Sequence, residues 1–212
     1  MFEKLLRFNT QKTIILFDLE TFNLTLNFCN NLPWQVTMLK IVGNEIKEEK
    51  DYMVKWDTKL KISEGAAIVT KYSQSKMDKL GVAPESVYPT LKEWFDSADY
   101  IMGHNILGFD INLIYHWYRL NGDNPNHLIQ KTIDTNTLAK GIKMKIPYKT
   151  GENFLEYQYK LYHKKAKGIK TNLTALGKEY GIDYDYDNLH NSLLDCRLNK
   201  IIWDKLKFQI EI

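Results

Sequence analysis

The stretch TIILFDLET, residues 13–21, constrains this chain more than any other. Its apolar, β-branched run from Thr13 to Phe17 suits a strand covered on both faces. A strand of that kind sits inside a sheet, so the remaining chain has to supply neighbours on either side and layers above and below. Yet Asp18 and Glu20 close the same run. Side chains at i and i+2 share a face, so these two carboxyls continue the row begun by Ile14 and Leu16. Like charges in such a row repel and lose solvation. Either the strand ends before them and leaves both in water, or something else compensates their charge.

The neighbouring strands are legible. WQVTMLKIV (Trp34–Val42) and EIKEEKDYMVKW (Glu45–Trp56) flank Gly43-Asn44, a hairpin signal, so the first three strands read as antiparallel. The chain then turns helical. ISEGAAIVTKY and SQSKMDKLG read as short helices, the second stopped by Gly81. PESVYPTLKEWFDSA (Pro84–Ala98) starts on a first-turn proline and puts Val87, Leu91, Trp94 and Phe95 on one face. YIMGHN and KTIDT are short strands on either side of a helix, GFDINLIYHWYRLNG, which Asn121-Gly122 ends. TNLTALGKEYG and NSLLDCRLNKIIWDKLKF are further helices. Strands first antiparallel and later alternating with helices imply an α/β fold with a mixed sheet.

With 212 residues, 44% hydrophobic and 26% charged, the chain has an ordinary globular composition and is expected to form one domain over 1–212. The net charge of +3 permits a nucleic-acid partner without arguing for one. Cys29 and Cys196 lie far apart with no metal-ligand spacing, which fits reduced thiols and a cytoplasmic setting. No run approaches the roughly 18 apolar residues of a membrane span. The opening MFEKLLRFNT lacks the apolar core of a secretory signal.

Two more acids occupy apolar stripes. Asp110 is followed by Leu113, Ile114 and Trp117, and Asp195 by Leu198, Ile202 and Leu206, all at helical offsets. Both stand close to a helix start, where the dipole favours an acid. A buried, unpaired carboxylate nonetheless costs several kcal/mol or shifts its pKa until neutral. Four such acids on three elements call for a cation, and an all-oxygen ligand set suits Mg²⁺ or Mn²⁺ rather than Zn²⁺.

FDLET, GHNILGFD and HNSLLDC, in this order, resemble the three motifs of the DEDDh 3′–5′ exonucleases, a superfamily that includes polymerase proofreading subunits, ribonuclease T and oligoribonuclease. Asp18 and Glu20 match the first motif, Asn105, Phe109 and Asp110 the second, and His190 and Asp195 the third. PWQVTMLKIV resembles the family's second strand, TIDTNTLAK its strand and turn after the second motif, and TNLTALGKEYGI the helix before the third. The likeness covers about residues 12–207. Together with the hairpin it implies a ribonuclease H-like mixed sheet of five strands, order 3-2-1-4-5, flanked by helices. Departures are local: Phe22 stands where many members have glycine, and the second motif is one residue longer than the common proofreading form.

The resemblance further implies two divalent cations, Mg²⁺ or Mn²⁺. Asp18 would bridge them, Glu20 and Asp195 would complete one, and Asp110 would hold the other. Nucleoside 5′-monophosphates would be the products. His190 would be the general base, since an imidazole titrates close to neutrality. It cannot share a helix face with Asp195, because five residues turn a helix by about 140° from alignment. His190 therefore belongs in the preceding loop, with Asn191 or Ser192 as the N-cap. Thr21, Phe22 and Asn105 are expected at the substrate's 3′ end. His104 reads as structural, and His116, His127 and His163 as structural or surface residues.

Residues 140–170 form a basic, aromatic insertion longer than the usual family connection. Its lysines, Lys164, Lys165 and Lys167 among them, can neutralise phosphates, and Tyr148, Phe154, Tyr157, Tyr159 and Tyr162 can stack on bases. Phe154, Leu155, Gln158, Leu161 and Tyr162 also follow helical spacing, so packing is an equal reading. The expected partner is a nucleic-acid 3′ end, DNA before RNA. The alternatives are an exoribonuclease of the same family, a non-catalytic nucleic-acid-binding module, and a subunit held in a polymerase or replication assembly.

Overall fold

Strand β1 (Thr13–Thr21) runs through the middle of a five-stranded sheet in the computed structural model, which describes residues 5–9, 11–27, 31–57, 60–149 and 151–212. β2 (Pro33–Val42) pairs with it antiparallel, and β3 (Glu45–Met53) extends that side. On the other side β4 (Tyr100–Gly103) and β5 (Thr132–Asp134) run parallel to it. The order is therefore β3-β2-β1-β4-β5, with the mixed polarity expected of a ribonuclease H-like sheet.

The alternation of β1 divides the core. Ile15, Phe17 and Leu19 face α3 (Pro84–Ser97) and α4 (Asp110–Leu120), which bury Leu91, Phe95, Ile114 and Trp117 on that side. Ile14 and Leu16 face the opposite layer. This consists of α5 (Thr135–Lys143), α6 (Phe154–His163), α7 (Leu173–Glu179) and α8 (Ser192–Leu206). Layers on both faces explain why β1 reads as a continuous apolar run. A third, smaller cluster joins Phe22, Leu32 and Trp34 to Met77 of α2 (Gln74–Leu80). Just before it, α1 (Glu64–Thr70) is capped by Ser63, whose hydroxyl accepts the Ala66 N–H.

One register detail makes the site. β4 pairs with β1 only from Ile14 to Leu16, whereas β1 continues to Thr21. Beyond Leu16 the strand has a partner on its β2 side alone, and Asp18 and Glu20 project where β4 has stopped. Such a crevice past the carboxyl ends of parallel strands is where open α/β sheets place ligands.

Several sequence expectations need correction. β3 ends at Met53 rather than Trp56; Trp56 turns back, and its Nε1–H donates to the Pro33 carbonyl at 2.6 Å. The strand of TIDTNTLAK is β5, but a helix from Thr135 stands in place of the turn, because Asp134 caps it by accepting the Asn136 and Thr137 N–H groups. Gly81 does end α2, though without the left-handed conformation common at helix ends. Its φ is −66°, and a Cβ there would lie 2.5 Å from the Met77 carbonyl oxygen. Cys196 is buried as a free thiol, and Cys29 lies outside the described residues.

The packing reading holds for much of the insertion. Phe154, Tyr157 and Leu161 of α6 pack into the second core, and Tyr148 contacts the rings of Phe154 and Tyr157. Tyr157 is buried, while Tyr148 and Phe154 are partly buried against this core. Gln158 does something the sequence did not suggest. Its Oε1 accepts the Asp134 N–H at 2.7 Å and its Nε2 donates to the Thr132 carbonyl at 2.8 Å. One side chain thereby satisfies the free edge of β5, a role usually filled by another strand or by water.

Candidate active site

Three elements deliver carboxylates to the crevice. Asp18 and Glu20 come from the end of β1, and Asp195 from the first turn of α8. One oxygen from each lies within 4.8 Å of the others. Asp110, buried in the first turn of α4, stands outside that tight group but close enough to act on Asp18 and Glu20 electrostatically. Burial raises its pKa to about 7, and backbone hydrogen bonding at Asp110 itself and at Leu19 opposes that rise.

All four carboxyls are pushed above the usual acid range. Burial is the first cause in every case. For Asp18 the charges of Asp110, Asp195 and Glu20 add to it, and for Glu20 those of Asp195 and Asp110. Among the described residues no lysine, arginine or histidine forms a salt bridge with any of the four. The buried Oδ1 of Asp195 has no hydrogen-bond partner. Buried acids are normally paired. An uncompensated, all-oxygen cluster with an orphaned oxygen therefore fits a divalent cation of the Mg²⁺ or Mn²⁺ kind.

Polar networks hold these elements in place. Asp18 lies opposite Thr37 in the β1–β2 ladder and Glu20 opposite Gln35. Thr37 Oγ1 and Gln35 Nε2 both donate to Asp51 Oδ1, at 2.8 and 2.9 Å. Ser192 Oγ lies 2.6 Å from Thr37 Oγ1. Since the carboxylate takes the Thr37 proton, Ser192 donates to Thr37, and the start of α8 is tied to β2. On the opposite side, buried Asp134 accepts the N–H groups of Asn105 and Leu107 as well as those that cap α5. Burial raises its pKa to about 6 against those four bonds. Asp134 thus shapes the turn that leads to Asp110, with Asn105 at φ +64°.

His190 lies in the loop before α8, exposed, at φ +66°. Its N–H donates to Asp195 Oδ2 at 3.2 Å, and Asn191 caps the helix by accepting the Leu194 N–H. His190 lines a cleft of about 720 Å³ with Trp34, Gln35, Asp51, Lys71 and Lys76. The positive φ lets the chain reverse between the backbone contact to Asp195 and the cleft.

The other sequence-derived site residues fall in different surroundings. Thr21 is buried and its hydroxyl donates to the Asn23 carbonyl at 2.6 Å. Phe22 packs in the third cluster, 6.0 Å from the Tyr72 ring. Asn105 is exposed at the turn before the second motif's aspartate, and Lys164, Lys165 and Lys167 are exposed where the chain leaves α6. His104 is structural as expected: burial lowers its pKa to about 4, and Nδ1 lies 3.0 Å from Thr135 Oγ1.

Sequence reasoning missed Asp134, Gln158, Ser192 as a tether, and Gly108. A Cβ on Gly108 would stand 2.3 Å from the Tyr162 hydroxyl, so glycine lets α6 dock on the second-motif turn. An acid directly before a helix, as at Asp134, was the one signal available for any of them.

A carboxylate cluster of this make, at the crevice of a ribonuclease H-like sheet, is the arrangement of a metal-binding nuclease site. The RNase_T family model, described as exonuclease, matches residues 15–202, and the chain belongs to that exonuclease family. Comparison with curated proteins returns no match. Among solved structures, Escherichia coli exonuclease I in complex with a 5cy-dT13 oligonucleotide is 16% identical, with a TM-score of 0.72 over 94% of this chain and 41% of that one. A zinc-bound E. coli exonuclease I–single-stranded DNA complex is 17% identical, with a TM-score of 0.73 over 94% and 41%. A product-bound exonuclease I gives 17% and 0.70 over 92% and 43%. These likenesses concern the fold, and the present chain spans about two fifths of the exonuclease I chains it matches.

Proposed function

We propose that this chain is a metal-dependent 3′–5′ exonuclease that removes nucleoside 5′-monophosphates from nucleic acid, with single-stranded DNA as its principal substrate. The observation that carries this reading is the uncompensated convergence of Asp18, Glu20 and Asp195, with buried Asp110 beside them. Membership in the exonuclease family supports hydrolysis from an end. The single-stranded oligonucleotides bound by the structurally similar exonuclease I support DNA as the strand. One sheet and two helices packed on it carry the four acids, which supports reading residues 1–212 as one exonuclease domain with an insertion at about 140–170.

Divalent cations held by these carboxylates would supply the positive charge that stabilises the attacking and leaving oxygens of an in-line displacement at phosphorus. Asp18, on which the charges of the other three acids all act, would be shared between two such ions, Glu20 and Asp195 would complete one and Asp110 would hold the other. His190 accepts the proton of the attacking water. The backbone bond to Asp195 fixes the His190 loop beside the acid cluster, which supports this role. Asn105 and the backbone around Thr21 and Phe22 border the 3′-terminal nucleotide, while Lys164, Lys165 and Lys167 offer charge to the strand.

Incubation with labelled single-stranded DNA, duplex DNA and RNA in Mg²⁺ tests this reading. Mononucleotides released fastest from single-stranded DNA are expected. Internal fragments, or turnover confined to RNA, would contradict it.

A further inference from the structure

The insertion builds a trough of about 670 Å³ between residues 145–149 and α6. Ile146, Pro147 and Leu161 supply apolar lining, and four lysines stand around it: Lys145, Lys149, Lys160 and Lys164. Glu152 is the only acid among the lining residues. The trough is held in shape. The Tyr157 hydroxyl donates to the Ile146 carbonyl at 2.7 Å, and the Ile146 N–H donates to the Gly141 carbonyl at 2.9 Å. Gly141 permits this approach, since a Cβ there would lie 2.6 Å from Tyr157 Oη and 2.8 Å from Leu161 Cδ1. Lys145 is held at φ +56°, a conformation uncommon outside glycine.

The lysines of this segment divide into two groups. Lys143 pairs with Glu179, and Lys140 donates to the Tyr162 carbonyl at 3.1 Å. Among the described residues the four trough lysines have no ion pair. Four uncompensated ammonium groups around an apolar floor ask for a ligand with repeated negative charge and flat, unpaired apolar faces. An unpaired single strand of nucleic acid has both, whereas a duplex hides its base faces. Residues 145–147 stand by the chain that leaves the C-terminal end of α8, and the Lys164 end of the trough reaches toward the active-site turn. Lys164 is two residues past Tyr162, whose hydroxyl abuts Gly108, and Gly108 is two residues before Asp110.

We propose that this trough binds the backbone of single-stranded nucleic acid upstream of the nucleotide being removed. The inference rests on the exonuclease reading for its direction, and it predicts that long strands are held at a second place that short ones do not reach. Lys165 and Lys167, which do not line the trough, contribute less than Lys145, Lys149 and Lys160.

Binding is measured without turnover, by fluorescence anisotropy in EDTA, with labelled oligothymidylates of about three and about thirty nucleotides, the longer exceeding the roughly 4–16-nucleotide footprint typical of strand-binding folds. The variant carries Lys145→Gln, Lys149→Gln, Lys160→Gln and Lys164→Gln. A control replaces Lys61, Lys79, Lys178 and Lys205, all exposed and outside the trough. The trough variant is expected to bind the long strand at least about tenfold more weakly at moderate salt. Its salt slope should flatten by about 0.7 for each phosphate that is no longer neutralised. Trinucleotide binding should change by much less than long-strand binding. The two half-variants, on residues 145 and 149 or 160 and 164, should show intermediate losses and serve if the full variant unfolds. Unchanged long-strand affinity and slope, or an equal loss in the control, overturns the proposal, as does a parent that binds no strand. A parent that binds long strands through these lysines but hydrolyses nothing would leave the trough standing and refute the exonuclease reading.

Discussion

At the residue scale, Asp18 joins stability and activity with opposite signs. Its carboxyl is raised by burial and by three acidic neighbours, so its charged form destabilises the metal-free fold. Asp18→Asn removes that charge and the central cation ligand together. Turnover should fall by more than the about 10–100-fold that loss of an outer-shell partner costs at metal sites. The pH dependence follows from the direction of the shifts. An acid whose pKa is higher in the folded state makes folding most favourable below its ordinary range near 4, and stability is lost as pH rises through the raised value. Asp18, Glu20, Asp110 and Asp195 all act this way. Buried His104 acts in the opposite sense, because its lowered pKa costs stability as pH falls below its ordinary value near 6.5. In EDTA, between about pH 6.5 and about pH 8, Tm of the parent should therefore decline. Asp18→Asn should decline less, and added Mg²⁺ should restore the parent. A parent with a flat Tm over that range, unaffected by Mg²⁺, would contradict this view of the cluster. The acids were legible because each broke an apolar pattern. Asp134 was not, since its meaning depends on four N–H groups that only the folded turn brings together.

At the element scale, the insertion and the sheet support one another. Gln158→Leu should preserve the volume near β5 but strand the Asp134 N–H and the Thr132 carbonyl. Each orphaned group costs about 1–3 kcal/mol, so urea unfolding should report a loss of about 2–6 kcal/mol. A change under about 0.5 kcal/mol, the scatter of ordinary surface substitutions, would show that water replaces the amide. The contact of Tyr162 with Gly108 gives a second test. Gly108→Ala forces the tyrosine outward at a cost of about 1–3 kcal/mol, and the displacement reaches the turn before Asp110. Combining it with Tyr162→Ala should cancel most of that cost, and the coupling is read from a double-mutant cycle on stability and rate. Additive effects would mean that the two residues act separately. Helical spacing foretold α6 but not what it would touch. Sequence periodicity names the buried face of a helix and leaves its partner, here a strand edge and a glycine, to tertiary packing.

At the scale of the whole molecule, one register difference organises everything described above. β4 stops beside Leu16 while β1 runs on, and the crevice so made receives acids from β1, α4 and α8. The strand order was readable because the hairpin set the first three strands and the family resemblance implied where the other two lie. Where β4 would stop was not, because its four residues carry no local end signal except Gly103. That glycine is needed by the fold: a Cβ there would lie 2.3 Å from Ile106 and 2.8 Å from the Phe17 carbonyl oxygen. The central claim is that this crevice removes nucleotides from the 3′ end with the help of divalent cations. A single-stranded DNA labelled at its 5′ end, digested in Mg²⁺ and resolved by length over time, tests it most directly, alongside the same strand with a blocked 3′ terminus and the same reaction in EDTA. The account predicts a descending ladder of 5′-labelled products with nucleoside 5′-monophosphate released, and no reaction with the blocked strand, with EDTA or with Asp18→Asn. Immediate release of labelled mononucleotide from the 5′ end, internal cuts, or undiminished digestion by Asp18→Asn would contradict it.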